Sequence, residues 1–462
     1  MTRPRLPGTL NRRHFLAAAS AALLPAPALA QSGTLGDATS VDVVIIGGGA
    51  AGIAAARRVA EAKRSYVLIE AGAKLGGRAR TDAAFGLNVD LGAGGFARSE
   101  GTLAASAQAA GQNLVALPSG RRLFANGREV RESAYDAFTL ALGTAQRDIR
   151  AMADTGKDVA ASLALQAATP DPAAARATAQ WAPTVTQLLG PLGCGRPLAA
   201  LSSLDLSRRD APPDDTTSPV GIGALMEGLG AWLNVQKEAP VTLVTNAGRF
   251  HTVTVRGQRT PIRARAIVIA IPAPVLLAGT IRFNPVLPPR LLNALRAIPS
   301  GALEQVAFLL PGNPLALEPN EAVLARADAA PPALLRGRIN GSDLHIVTFG
   351  DAPARAIAEK GAEAALALAR QWLGAAFPGA DGEIREVVCS SWGKDPLIRG
   401  ALSVALPGQG AQRRVFADTV QNRLFLAGDY VPTSGWGTLG GAWASGEAAA
   451  ARALRLFGDG PA

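Results

Sequence analysis

The chain is poor in the side chains that usually carry chemistry unaided. It holds two cysteines (Cys194 and Cys389) and three histidines (His14, His251 and His345) in 462 residues. That supplies neither a zinc ligand set nor a disulfide framework, and it leaves Ser-His-Asp catalysis short of parts. Aromatic residues amount to 5%, with three tyrosines (Tyr66, Tyr135 and Tyr430). The arginines are scattered rather than interleaved with rings, which speaks against a nucleic-acid surface. Chemistry is therefore expected from a bound cofactor, with no metal.

What is present is a globular composition. The hydrophobic fraction is 48%, ample for a buried core, and the length suggests two large domains or about three smaller ones. Of the formal net charge of +10, four arginines (Arg3, Arg5, Arg12 and Arg13) fall in the first 30 residues, leaving 42 basic against 36 acidic side chains. That excess reads as solvated surface.

Those first residues form a pattern of their own. Arg12 and Arg13 precede Phe15, Leu16 and an Ala/Leu run to Leu24, and Ala28-Leu29-Ala30 closes the segment. Paired arginines, a mild apolar core and a final Ala-x-Ala predict a twin-arginine export signal over 1–30, cleaved after Ala30. The run is too short for a membrane span and is interrupted by prolines. The twin-arginine export machinery is the partner implied, with a periplasmic or secreted destination. That route carries proteins already folded, commonly around a cofactor.

After a small polar linker over 31–40, Val41 to Ile46 reads as a buried parallel strand, Ala50 to Ala62 as a helix and Tyr66 to Glu70 as the next strand. Residues 99–111 and 131–190 are helical in pattern, interrupted at Pro170 and Pro172. Between them, Arg122–Ala125 and Arg128–Val130 flank Asn126-Gly127, the signature of a type I′ hairpin. The segment 211–219 is a loop. Strands are expected at Val241–Val244, Thr252–Val255, Ala266–Ile271, Glu304–Leu310, Leu334–Asn340 and Leu344–Phe349, then a helix over about 352–374.

The first site-bearing segment joins strand to helix: Gly47, Gly48, Gly49, Ala50, Ala51, Gly52. Glycines there permit a tight turn and let backbone approach a pyrophosphate, and the helix N-terminus adds free N–H groups and a positive dipole end. Glu70 follows 18 residues after Gly52, at the end of the next strand. A carboxylate there accepts from ribose hydroxyls, and its charge disfavours a 2′-phosphate. Further on come Gly76, Gly77 and Arg78, then Asp90-Leu91-Gly92-Ala93-Gly94-Gly95. An arginine can grip a diphosphate in bidentate fashion, and small residues at 92–95 let a flat ring lie on the main chain.

With these segments the sequence resembles the flavin-dependent amine oxidase family. The resemblance returns near the other end, in Ala427-Gly428-Asp429 and in Gly437-Thr438-Leu439 opening a glycine-rich helix. It implies an α/β fold with a Rossmann-type FAD-binding domain (41–98, 220–282 and 388–456) and an interleaved α+β substrate-binding domain (99–219 and 283–387). It also implies that Gly77 and Arg78 lie along the FAD pyrophosphate, Ala93, Gly94 and Gly95 beside the isoalloxazine, and Val241 at the adenine. Asp429 would meet the ribityl chain, and the helix opened by Gly437, Thr438 and Leu439 would point at the ring, where a helix N-terminus stabilises negative charge on the reduced flavin. Trp392 resembles a tryptophan that the family keeps beside the flavin.

Departures from the family concern the reacting edge. A lysine that usually holds a water near the flavin is replaced by Gln305. The family's aromatic pair falls on Leu402 and Thr438. The position that attaches FAD covalently in some members falls on Ala401, so the FAD is expected to be non-covalent. The catalytic candidates are thus Gln305, Trp392 and Thr438. The expectation is an exported FAD-dependent oxidoreductase that oxidises an amine C–N bond, passing electrons to oxygen or a periplasmic carrier. Two alternatives stand beside it: desaturation or ring oxidation of an apolar substrate, and a catalytically degraded flavoprotein acting as a binding partner.

Overall fold

The β-branched run Ser40–Ile46 forms the centre of an eight-stranded mixed sheet. The computed structural model describes residues 40–167, 178–327 and 331–458; the twin-arginine segment expected over 1–30 lies outside the described residues, as do Pro170 and Pro172. Ser40–Ile46 runs parallel to Tyr66–Ile69 on one side and to Ile262–Ile269 on the other. Ile262–Ile269 then pairs along its far edge with His251–Val255 in the antiparallel sense and with Leu424–Leu426 in the parallel sense. Val43 and Ile45 pack with helices Ala50–Glu61 and Leu439–Arg455, while Val44 and Ile46 pack under helix Pro289–Ala297. With both faces covered there, the strand has no polar side from Val43 onward, which is why Val43 to Ile46 reads as an unbroken apolar run.

A second sheet of seven strands runs in the order Val388–Cys389, Leu303–Leu309, Leu344–Gly350, Ala333–Arg336, Ala322–Ala325, Arg122–Ala125, Arg128–Glu129. One face, carrying Val306, Phe308, Val347 and Phe349, is sealed by helix Ala362–Ala376 through Trp372 and Leu373. The opposite face carries Gln305, opposite Thr348, which in turn stands opposite Leu334. Helix Glu132–Asp154 covers part of that face through Phe138 and Ala141, against Leu123 and Leu324.

Several elements depart from the sequence reading. The helix expected over 352–374 is two, Ala352–Lys360 and Ala362–Ala376, broken at Gly361, whose φ is +67°. The strand expected to reach Asn340 ends at Arg336, because Arg338 and Asn340 turn the chain at positive φ. Helix over 99–111 is confined to Leu103–Ala109, and among the described residues the long helical stretch is divided into Glu132–Asp154, Ala161–Ala167 and Ala182–Gln187, the last running on into a π-helical turn, Leu188–Leu192. Hairpin Thr81–Ala84/Leu87–Asp90, helix Ile222–Gly230 and strand Ala322–Ala325 have no counterpart in the sequence reading. The Asn126-Gly127 hairpin forms with both turn residues at positive φ (52° and 71°), as a type I′ turn requires. No helix among the described residues is long and apolar enough to cross a membrane.

Candidate active site

The glycine turn is built by backbone that comes too close for side chains. A Cβ on Gly52 would sit 1.8 Å from the Gly47 carbonyl oxygen, so the helix can begin this near the strand only with glycine there. Gly49 caps helix Ala50–Glu61 without any side-chain hydrogen bond. Its first-turn N–H groups therefore stay available to an anion. Gly76 N–H donates to the Gly48 carbonyl (2.8 Å), and Gly49 and Gly76 form a bridge, which lays the Gly76-Gly77-Arg78 segment alongside the turn.

Glu70 sits where these loops meet. Its carboxylate accepts from Gly48 N–H and from Gly72 N–H, each at 2.6 Å. Burial pushes its pKa up, and these backbone donors pull the other way. A carboxylate accepts about four hydrogen bonds, so the backbone donors leave acceptor capacity for a ribose hydroxyl. Ala239 N–H donates to the Glu70 carbonyl (2.9 Å), which brings the chain entering Val241–Asn246 to the same place; Val241 itself is buried in that strand. Glu70→Ala is expected to weaken FAD binding by about 1.5–3 kcal/mol, the worth of charge-assisted hydrogen bonds. Flavin retention on gel filtration, measured against a dilution series, checks this; retention equal to the parent's would remove Glu70 from the ribose site.

Arg78 and Asp429, expected at different parts of the cofactor, meet in one ion pair. Arg78 Nη2 donates to Asp429 Oδ1, and Nη1 donates to Asp429 Oδ2 (3.2 Å) and to the Ala401 carbonyl. Three of the five guanidinium donors are used, leaving two for a phosphate oxygen. Asp429 is held by its own loop, its carbonyl accepting from Gly437 N–H (3.0 Å), while Gly428 N–H donates to Ser445 Oγ (2.8 Å). Thr438 caps helix Leu439–Arg455, accepting from Gly441 N–H and donating to Glu100 Oε1, both at 2.9 Å. A side chain on Gly437 would meet Leu402 at 3.2 Å, so one of the two positions matching the family's aromatic pair lies beside the residue that precedes the other.

A cavity of about 830 Å³ opens between these segments and the second sheet. Its lining includes Ala93, Gly94 and Gly95 on one side, Thr438 and Leu439 at the helix start, and Gln305 and Thr348 on the sheet. A Cβ placed on Gly94 would meet nothing within 4 Å, so the main chain there presents open space to a flat ring. Gln305 Nε2 reaches Thr348 Oγ1 at 3.4 Å, whereas its Oε1 is buried without a partner. Trp392 does not line this cavity; it is buried behind Gly92, with Arg80 stacked 4.5 Å over its ring. Its backbone N–H and that of Gly393 donate to the buried Glu304 carboxylate, each at 3.0 Å. Burial raises the Glu304 pKa against these donors.

An uncapped helix N-terminus, a carboxylate with free acceptor positions, spare arginine donors and an open glycine floor fit FAD in the extended position that the sequence implies. Glu304 escaped the sequence reading although it adjoins Gln305 and is a charged residue within an apolar strand, which is a usable signal. Arg121, Asp214 and Arg336, which also line the cavity, escaped it too. Nothing local marks them, since they come together only in the folded sheet and its facing loop.

This combination of a dinucleotide-type sheet, a glycine turn with its acid, and a cavity floored by backbone is that of an FAD-dependent oxidoreductase. The family model for flavin containing amine oxidoreductases matches residues 50–454, and the chain belongs to that family. Polyamine oxidase 4 of Oryza sativa subsp. japonica is 28% identical over 236 residues, covering 50% of this chain and 47% of that protein. Lysine-specific histone demethylase 2 of Homo sapiens is 28% identical over 98 residues, 21% of this chain and 12% of that one. The matched part thus spans less than half the length of these curated relatives. Among solved structures, putrescine oxidase bound to putrescine superposes with a TM-score of 0.76 at 18% identity, covering 90% of this chain and all of that one. Cyclohexylamine oxidase from Brevibacterium oxydans IH-35A gives 0.72 at 19% identity, over 90% and 99% of the two chains. These likenesses establish the shared α/β fold.

Proposed function

We propose that the protein is an exported amine oxidase that holds FAD without a covalent bond. The carrying observation is that the backbone floor of Ala93, Gly94 and Gly95, the helix start at Thr438 and Gln305, with its unpartnered Oε1, line one cavity. When bound there, FAD supplies the two-electron acceptor for hydride from the carbon beside the amine nitrogen, and water hydrolyses the resulting imine. The chain's part is to orient the amine, exclude bulk water and present Gln305 as a neutral holder of a water molecule. Ala401 offers no sulfur for attachment, and its carbonyl is engaged by Arg78. The polyamine oxidase relatives support an amine as substrate. The charged side chains in the cavity argue against an apolar substrate, which would leave them without compensation. Anaerobic bleaching of the flavin across a panel of amines tests the reading. Bleaching with release of aldehyde and ammonia is expected, and an enzyme unreduced by every amine would overturn it. The same enzyme mixed with oxygen or with a periplasmic electron carrier identifies the acceptor by which one restores the oxidised spectrum.

Export rests on Arg12, Arg13 and the Ala28-x-Ala30 site. In an exporting bacterial host, the Arg12→Lys, Arg13→Lys double variant is expected to leave a folded, flavin-bearing precursor in the cytoplasm. Fractionation with flavin fluorescence reads this out, and undiminished export of that variant would mean a different route.

A further inference from the structure

The oxidation assigned above uses one end of a substrate and leaves part of the cavity wall unexplained. On the cavity face of the second sheet, Arg336 stands between Ala322 and Ile346 in register. Arg122 pairs with Val323 in the adjoining parallel ladder, and one residue back the same register sets Arg121 beside Ala322. The two arginines thus project from one sheet face, two strands apart, their backbones separated by roughly 10 Å. Ala322 lies on the strand between them, and all three residues line the cavity.

Neither guanidinium has a hydrogen-bond or ion-pair partner among the described residues. Arg121 Nη1 is buried and unpartnered, with the ring of Phe138 5.9 Å from the guanidinium. Arg336 feels the charge of Asp214 without pairing to it. Of the acids in the lining, Asp90 is already occupied, accepting from Thr81 Oγ1 and from Ile222 N–H. Arg121 is a desolvated cation with no acidic group acting on it among the described residues, and Arg336 has only the charge of Asp214, which Asp214 shares with Arg209. Such burial is costly, and a purely structural role does not offset that cost. A planar anion does, because the guanidinium fork matches it in bidentate fashion.

We propose that Arg121 and Arg336 form a receptor for a carboxylate on the substrate, so that the amine oxidised here is one that carries a carboxylate. This rests on the amine-oxidation reading and narrows it. A diamine, whose second ammonium would face two arginines, is a poor substrate by the same argument.

The test uses the full-length holoenzyme, its FAD content checked for each variant. Hexanoate, which carries the carboxylate but no amine to oxidise, is titrated against the oxidised flavin spectrum, with hexanol as the uncharged match. Separately, anaerobic bleaching compares 6-aminohexanoate and α-amino acids with hexylamine and 1,6-diaminohexane. The expected result is saturable binding of hexanoate but not hexanol. Arg121→Met and Arg336→Met should each weaken it about 10- to 100-fold, as for loss of a charge-assisted contact, with Arg336→Lys intermediate. Amino-carboxylates should bleach the flavin faster than the diamine. Equal binding of hexanoate and hexanol by the parent enzyme, or bleaching led by the diamine, would overturn the receptor while leaving amine oxidation intact; neither measurement depends on a variant folding. Hexanoate binding that weakens in the variants, with no amine of any charge bleaching the flavin, would instead uphold the anion receptor and overturn amine oxidation.

Discussion

Arg413→Leu is expected to destabilise the protein by about 3–5 kcal/mol, the range for leaving one member of a buried ion pair without its partner. Arg413 and Asp205 are each 1% exposed and pair through two bonds, Nε to Oδ1 at 2.5 Å and Nη2 to Oδ2 at 2.9 Å. The guanidinium also donates to the carbonyls of Ser403 (2.7 Å) and Tyr430 (2.8 Å) and lies 4.3 Å over the ring of Trp436. Asp205 accepts in addition from Ala405 N–H (2.8 Å). One pair therefore ties a short helix of the cavity side, Ser203–Ser207, to the segments on either side of Asp429. Removing the arginine strands a desolvated carboxylate and frees two carbonyls. Chemical denaturation of the holoprotein measures the loss, and flavin release should fall to lower temperature with it, because Tyr430 adjoins Asp429. Replacing both residues, Asp205→Leu with Arg413→Met, should recover a large part of the loss, since an apolar pair of similar volume carries no desolvation penalty. A single-variant loss below about 1 kcal/mol, the scale of solvated pairs, would show that water reaches this pair.

The parts of the site that were legible in the sequence are those where backbone itself is the functional group. Gly52 is fixed by a carbonyl 1.8 Å from where its Cβ would be, so the requirement is written at one position and survives any change in surroundings. The apolar run before it and Glu70 after it follow from a short, local strand-turn-helix-strand unit. Residues whose neighbours come from far along the chain were less legible. Arg78 and Asp429 were each readable as a cofactor contact, yet their ion pair spans 351 residues and left no local trace. The cavity wall shows the same limit more strongly: Arg121 and Arg336 become neighbours through the register of strand Ala322–Ala325, an element too short and too plain in composition to be read. Secondary structure failed for a related reason. The pattern over 352–374 is continuous in hydrophobic period, and the break at Gly361 depends on a left-handed φ that an isolated glycine permits without announcing.

Gln305→Ala is expected to slow flavin reduction or reoxidation by on the order of 10²-fold, the scale of one proton-transferring group, while FAD content stays at the parent's level. The residue sits on the sheet wall of the cavity, away from Glu70, Arg78 and the glycine turn that would hold the dinucleotide. Its backbone is fixed independently of its side chain, the N–H donating to Ser390 Oγ (2.8 Å) and the carbonyl accepting from Ser390 N–H (2.9 Å). Truncation therefore removes the amide without moving the strand. What is lost is a buried acceptor, Oε1, that has no protein partner, and with it, in the role proposed for Gln305, the means of holding a water at the reacting edge. Stopped-flow measurement of the two half-reactions separates the effects: a defect in reduction places the water with the amine, and a defect in reoxidation places it with the electron acceptor. Gln305→Lys is the informative companion. Burial would depress the lysine's pKa, and reoxidation by oxygen should quicken if the side chain takes the place that the family gives to lysine. Both variants matching the parent in both half-reactions would show that Gln305 takes no part in the chemistry, and would shift attention to Thr438 and its hydrogen bond to Glu100 as the polar group that meets the substrate.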